Sequence, residues 1–237
     1  MASRRRNRTL GVVLVVLAIV IAVVAVFLTS GGDGISAAGI PSADTVLSQA
    51  AAAEDSAGCD AVQETPNYDD APGDDPPIDH EHIGSAPEVG TAPDLSTYAS
   101  IPPASGPHDP TPLTAGIYDS PPNVYQTIHS LEHGAVIIWY APGTTGKALD
   151  DLLAFYGQQG TDLGQAKIII APYDYPDQGD AGQLPAGVQM ALVAWHRLQT
   201  CTGVSLPVAF DFSSQYEVPG YAGQTYKGVA REPAASI

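Results

Sequence analysis

Residues 128–140 read IHSLEHGAVIIWY and join a histidine-containing turn to the most apolar strand that the sequence predicts. Residues 135–140 form a short apolar run rich in β-branched and aromatic side chains, and Pro142 ends it, so we expect a buried strand. Because His129 and His133 come directly before this strand, we expect their rings at the rim of the core.

The chain after this strand predicts a small α+β domain with a short mixed or antiparallel sheet, two helices and long loops rich in proline and glycine. Apolar residues at spacings of three and four indicate the helices, and short apolar runs indicate the strands. These elements are, in chain order, a helix between residues 144 and 160, a strand at 167–171, a strand at about 188–198 whose alanine-rich middle also fits a helix, and a helix from Pro207 to Tyr216.

The N-terminal residues predict a membrane anchor. Arginines at positions 4, 5, 6 and 8 precede an uncharged apolar run at residues 10–28, and as a helix this run would cover roughly 28 Å. A cleavable signal peptide is the alternative, but its apolar region is shorter and its cleavage site follows directly, whereas the candidate site at residues 36–38 lies further on. The arginines favour a cytoplasmic N-terminus and a single-pass protein of the cell membrane.

This interpretation predicts five segments. They are a cytoplasmic basic segment at 1–9, a transmembrane signal anchor at 10–28, a flexible stalk at 29–57 in which residues 45–53 fit a short helix, an extracytoplasmic domain at 58–218, and an irregular tail at 219–237.

The charge of the chain is strongly acidic. It contains 26 Asp and Glu against 9 Lys and Arg, a formal net charge of −17. Such a surface has few groups that could neutralise phosphates, which excludes nucleic acid as a partner. It attracts cations instead, and it specifies no protein partner.

The two cysteines, Cys59 and Cys201, predict one disulfide, since an even pair outside the membrane is typical of a structural bridge. The alternative is a pair of thiolate metal ligands.

The six histidines include three groups whose placement indicates a metal site. His80 and His82 form His-x-His, His108 ends the rigid turn at residues 102–108, and the 129/133 pair lies one helical turn apart. Burying several imidazoles with few bases nearby requires a common partner, and a divalent cation satisfies their neutral nitrogens. The sequence therefore predicts a transition metal site with the ligands His82, His108, His129 and His133, supported by Glu132 and His80.

Imidazole ligands suit zinc, nickel and copper(II), with an affinity that rises toward copper. We expect copper or zinc. A site selective for copper(I) would need soft sulfur ligands, and beyond residue 28 the chain offers one methionine, Met190.

Several of these stretches resemble a known family. Residues 102–108, 116–119 and 128–136 are similar to the core motifs of the actinobacterial domain of unknown function 3105 family, and residues 59–63 and 80–83 resemble its opening. The likeness covers roughly residues 58–216. The family is named for having no assigned activity, so the resemblance implies positions rather than chemistry.

By this resemblance the motif positions are His82, His108, His129, Glu132 and His133. Ala104 stands where a threonine is expected, and His196 stands where a small residue usually follows Trp195, so His196 is left out of the site. Cys201 has no place in the family pattern.

Three functions fit these observations. The first is a metal-binding module. The second is a zinc hydrolase in which the pattern His129-x-x-Glu132-His133 holds zinc and the glutamate activates water, although Gly134 and a strand follow where such enzymes continue a helix. The third is a structural or partner-binding domain whose histidines are merely hydrogen-bonded. No catalytic residue is predicted, and a non-enzymatic role is favoured.

Overall fold

The computed structural model describes residues 40–68, 78–84, 91–159 and 167–237. Its contacts divide the chain into Met1–Ser42 and Ala43–Ile237, and the fold is that of the second unit. The predicted span at 10–28 and the proline- and aspartate-rich residues 69–77 lie outside the described residues.

The described unit has four α-helices and one six-stranded sheet. The helices are α1 (Ala43–Ala57), α2 (Val124–Glu132), α3 (Lys147–Gln159) and α4 (Leu206–Tyr216). The strands are β1 (Gln63–Glu64), β2 (Gly116–Ile117), β3 (Val136–Tyr140), β4 (Ile168–Pro172), β5 (Met190–Ala194) and β6 (Arg197–Cys201).

The sheet is mixed and has the order β1-β6-β5-β3-β4-β2. Strand β3 pairs parallel with β4 and antiparallel with β5, so Ile138 lies between Ile170 and Leu192. All three side chains are at most 1 % exposed. Strands covered on both faces carry near-continuous apolar runs, which explains why β3 and β4 could be predicted from composition alone. The predicted α+β class is confirmed.

The strand predicted at 188–198 is wrong in its extent, because the chain folds back within it. Strands β5 and β6 form an antiparallel hairpin, with Ala194 paired to Arg197 and a two-residue turn at Trp195 and His196. His196 has φ 56°, in the left-handed region that two-residue hairpin turns require and that histidine enters more readily than most residues. No glycine marks this turn, so the sequence pattern did not show it.

Two of the four helices were predicted as such, α3 and α4. The count of two was too low, because the turn around His129 belongs to a full helix, α2. The side chain of Asn123 accepts a hydrogen bond from the backbone N–H of Tyr125 and caps this helix, and Val124, Ile128 and Leu131 bury one face at helical spacing. Helix α1 covers and extends the short helix proposed at 45–53 and packs against α4.

The predicted disulfide is confirmed between Cys59 and Cys201, which are 142 residues apart. It joins the chain just after α1 to the end of β6. Both cysteines of the chain are therefore oxidised, and neither is a thiolate ligand. Closing a loop of this length restricts the unfolded chain by about 4–5 kcal/mol in the chain-entropy description.

The transmembrane helix in the predicted fold is corrected here. In the part of the chain that the structure describes, no helix is long and apolar enough to cross a membrane. The longest, α1, has 15 residues and contains Asp44, Glu54 and Asp55, and it would cover only about 22 Å of a hydrocarbon core of about 30 Å. The predicted anchor at residues 10–28 lies outside that part, and the localisation as a single-pass cell-membrane protein is withdrawn with the helix.

Candidate metal centre

Four side chains from three separate segments meet at one point of the domain. One nitrogen each of His82, His108 and His129 and one carboxylate oxygen of Glu132 all lie within 4.8 Å of one another. His108, His129 and Glu132 are 0 %, 4 % and 3 % exposed, and His82 is partly exposed. The group therefore lies at the edge of the core, with His82 on its outer side.

Backbone pairing brings His82 and His108 together. The two residues form an isolated parallel bridge in which Ile83 N–H donates to His108 O at 2.7 Å and His108 N–H donates to Glu81 O at 3.1 Å. Their rings are 5.1 Å apart and nearly perpendicular. Two loops without regular secondary structure thus hold their histidines by a sheet-like contact.

Asp79 fastens these two loops to the rest of the domain. Its carboxylate accepts hydrogen bonds from Tyr68 N–H at 2.7 Å, Ser105 Oγ at 2.8 Å and His196 Nε2 at 3.1 Å. Burial would raise the pKa of Asp79, but the bonds from His196, Tyr68 and Ser105 outweigh it and hold this pKa below its usual value. The same contact raises the pKa of His196 against its own burial. His196 therefore supports the site from outside it.

Helix α2 supplies the remaining residues of the group at its C-terminal end. His129 and Glu132 lie one turn apart, and His133 is the C-cap residue. The helix ends here because Gly134 has φ +85°, a left-handed conformation that does not continue a helix. Glycine is required at this position because a Cβ would clash with Val218 Cγ2. Strand β3 begins two residues later.

Backbone carbonyls fix the protonation pattern of three rings. The Nδ1 atoms of His108, His129 and His133 lie 2.8, 2.6 and 2.9 Å from the carbonyl oxygens of Gly106, Asp109 and Ser236. A carbonyl oxygen only accepts, so each Nδ1 carries the proton and donates it. In the neutral rings each Nε2 then presents a lone pair.

These lone pairs face other acceptors. His108 Nε2 is 3.1 Å from Glu132 Oε2, yet within the described residues it is buried without an aligned hydrogen bond. His129 Nε2 is 2.9 Å from His133 Nε2. Two acceptors at such distances need a proton or a cation between them.

The pKa shifts indicate the charge states of His129 and Glu132. Burial lowers the pKa of His129, and the neighbouring rings of His108, His133 and His82 lower it further against the bond to Asp109. Burial would raise the pKa of Glu132, but the surrounding histidines, His108 foremost, hold it below its usual value. At neutral pH the centre therefore combines a neutral His129 with an ionised carboxylate.

The group of side chains differs from the predicted ligand set in one position. His82, His108 and His129 come together as expected, and Glu132, expected as a supporting or additional ligand, supplies the fourth atom of the group. His133 lies outside this group and contacts its member His129. His80 has a buried Nδ1 with no hydrogen-bond partner among the described residues, but it is not part of the group.

The position of Glu132 bears on the hydrolase alternative. A glutamate that activates water must be free of the metal ligands, whereas Glu132 Oε2 lies against His108 Nε2. Helix α2 also ends at Glu132, so it does not continue as the pattern of inverted zinc peptidases requires. Glu132 therefore lies among the histidines of the group.

Comparison with protein-family models gives a match. A family model described as Protein of unknown function (DUF3105) matches residues 93–229. This range contains His108, His129 and Glu132, while His82 and Cys59 precede it. No curated protein and no solved structure matches the chain.

Proposed function

This chain belongs to the family described as Protein of unknown function (DUF3105), as the sequence resemblance implied, and we propose that its domain binds one transition metal ion, zinc or copper(II). The ligands are His82, His108, His129 and Glu132.

One observation carries this proposal. The Nε2 atom of His108 and a carboxylate oxygen of Glu132 face each other at 3.1 Å in a buried position, and in a neutral ring whose Nδ1 donates to Gly106 O this Nε2 is an acceptor. Burying a carboxylate beside a second acceptor costs several kcal/mol unless a positive charge lies between them. A divalent ion satisfies both atoms at once.

The distances suit such an ion after small movements of side chains. Ligands bound at about 2.1 Å in a tetrahedron are about 3.4 Å apart, and two ligands on opposite sides of one ion are about 4.2 Å apart. The contact between His108 and Glu132 at 3.1 Å is close to the tetrahedral value, and a pair at the upper limit of 4.8 Å would have to approach by about 1.4 Å.

The ligand chemistry selects the metal. Three imidazoles and one carboxylate are borderline ligands that suit zinc and copper(II) better than calcium or magnesium, which prefer oxygen atoms alone. The carbonyl acceptors behind His108 and His129 also support metal binding, because a ring that donates from its far nitrogen is oriented and made more basic.

The full complement of protein ligands favours binding over catalysis. Four protein ligands fill a tetrahedral site, whereas catalytic zinc keeps one position for water or substrate. We therefore place this domain with metal-binding modules. A structural domain whose histidines are only hydrogen-bonded is the competing function, and the two differ in what metal does to the protein.

Metal titration of the full chain tests the proposal. After removal of bound metal by a chelator, isothermal titration with Zn²⁺ and Cu²⁺ is expected to give one site per chain, and elemental analysis of the repurified complex should give one ion per chain. His108→Ala and Glu132→Gln should each weaken binding by at least about 10- to 100-fold, the effect usually seen even for residues one layer beyond the ligands.

Glu64→Gln is the control. It removes a carboxylate that lies on β1, outside the group of ligands, with a side chain that is 78 % exposed. Its affinity for metal should stay within a few-fold of the wild-type value. A wild-type chain that takes up neither ion, or ligand variants that bind as tightly as the wild type, would refute the proposed centre.

A further inference from the structure

Residues 231–236 return to the metal centre and are held against it. Glu232 N–H donates to Glu132 O at 3.0 Å, and Ser236 O accepts from the His133 ring at 2.9 Å. The Lys167 ammonium donates to His133 O at 2.7 Å and to Ala235 O at 2.5 Å. These contacts place the Glu232 side chain at the outer edge of the centre.

Three ligand atoms lead from solvent toward the buried group. Glu232 Oε2 lies 3.4 Å from His133 Nε2, and His133 Nε2 lies 2.9 Å from His129 Nε2. The side chain of Glu232 is 60 % exposed and that of His133 is 9 % exposed, whereas His129 is 4 % exposed as a residue. Exposure thus falls along the row from the surface to the centre.

The spacing of this row allows ligand exchange. Two ligands of one ion are about 3–4 Å apart, and both steps fall in or near that range. An ion on Glu232 and His133 could bind His129 before it leaves Glu232. It would never have to cross the buried region without ligands, which is the costly step for any charge.

His133 has a lone pair available for this role. Its Nδ1 donates to Ser236 O, so in the neutral ring its Nε2 points an acceptor toward both Glu232 and His129. A purely structural His133 would be complete with its Nδ1 bond and would gain nothing from an acceptor on either side of Nε2.

We propose, on the basis of the proposed function, that Glu232 and His133 form a loading pair, which takes up the metal ion from solvent and passes it to the buried centre through His129. The loading pair is a transient site, distinct from the resident ligands His82, His108, His129 and Glu132.

The test is the kinetics of metal uptake by the full chain. Zn²⁺ is presented in a stopped-flow instrument with a chromophoric chelator, so that association and dissociation are followed separately from equilibrium affinity. Glu232→Gln is expected to slow both association and dissociation by about tenfold or more, and to change the affinity by less than about threefold. Removing a binding pathway slows association and dissociation by the same factor, so the equilibrium affinity is kept.

Glu64→Gln is the matched control. Glu64 lies on β1 with a side chain that is 78 % exposed, so this change removes the same surface charge away from the centre and should leave both rates nearly unchanged. His133→Asn is the second variant, because asparagine keeps a donor for Ser236 O and loses the Nε2 ligand. It should slow uptake like Glu232→Gln.

The outcomes are distinguishable. Unchanged rates in Glu232→Gln and His133→Asn overturn the loading pair and leave the centre intact. A loss of affinity of about tenfold or more in Glu232→Gln also overturns it, because Glu232 would then be a resident ligand. A wild-type chain that takes up no zinc refutes the centre, and the loading pair with it.

Discussion

Replacing Glu132 by glutamine distinguishes two descriptions of its contact with His108. If His108 is neutral, the metal-free protein buries a carboxylate oxygen 3.1 Å from a lone pair. The amide that Glu132→Gln introduces would remove this charge and place an N–H donor toward His108 Nε2. With His108 neutral, we expect this substitution to stabilise the metal-free protein, an unusual sign for a change at a buried residue. With a proton on His108 Nε2, the arrangement in which His108 holds the pKa of Glu132 low, the substitution should destabilise it.

The magnitude follows from the contacts of Glu132. A new neutral hydrogen bond contributes about 0.5–1.5 kcal/mol to the free energy of unfolding. The variant loses the attraction between Glu132 Oε1 and Arg231 Nε, which are 3.8 Å apart, but the Arg231 side chain is half exposed and such pairs are worth at most about 1 kcal/mol. The net change should lie between about zero and 1.5 kcal/mol of stabilisation.

Metal reverses the order of stability. At a free zinc concentration of 100 times the dissociation constant, the wild-type protein gains about 2.7 kcal/mol, whereas the variant gains little because it lacks a ligand. Urea unfolding followed by the fluorescence of the buried Trp139 and Trp195 measures both conditions on the same full chain, with Glu64→Gln as a control for loss of one negative charge.

A large loss of stability would refute this reasoning. If the contact is a buried ion pair between a protonated His108 and Glu132, removing one partner should cost about 3–5 kcal/mol without metal. In that case the lone-pair argument fails, and the domain is better described as structural.

Three further predictions follow from the same contacts. In the wild type, zinc should raise the Tm by about 5–11 °C, the shift that 2.7 kcal/mol produces in a domain of this size. His108→Ala should abolish this rise in differential scanning calorimetry, and an undiminished rise would argue against His108 as a ligand. Cys59→Ser with Cys201→Ser should lower the free energy of unfolding by about 2–5 kcal/mol in urea, because the bridge closes a loop with a sequence separation of 142 residues; an unchanged value would mean that the unfolded chain is not restricted by it. Burial raises the pKa of Glu217 to about 7, against the opposing effect of Lys167. Between pH 4.5 and 7 the folded state therefore binds more protons than the unfolded state, and the free energy of unfolding should fall as pH rises through this window. Glu217→Gln should flatten that fall in pH-dependent urea unfolding, and a variant with the wild-type slope would contradict the assignment.

The central strands and the two later helices could be predicted because local signals determine them. Strands β3 and β4 are apolar on both faces and end at prolines, and α3 and α4 repeat their apolar residues at helical spacing. The hairpin at Trp195 could not be predicted, because its turn lacks glycine and depends on tertiary packing. The full length of α2 could not be predicted either, because polar residues interrupt its apolar pattern.

The presence of Glu132 rather than His133 in the group with His82, His108 and His129 could not be predicted from the sequence. Both residues follow His129 at helical spacing, three and four positions later, so α2 places either of them near its ring. Only the approach of His108 from a distant loop decides between them, since its Nε2 lies beside Glu132. That loop has no periodic pattern, and its path is set by the bridge to His82 and by the bonds to Asp79.

Backbone carbonyls orient the histidine rings, and a motif of side chains in the sequence does not reveal these acceptors. Gly106 O holds the proton of His108 on Nδ1 and thereby turns Nε2 toward Glu132. Any residue has a carbonyl, but Gly106 has φ +123°, and a Cβ there would lie 2.6 Å from the Tyr98 ring. Glycine is therefore required at a position that contributes no side chain to the centre, because it alone lets the chain present this carbonyl to His108.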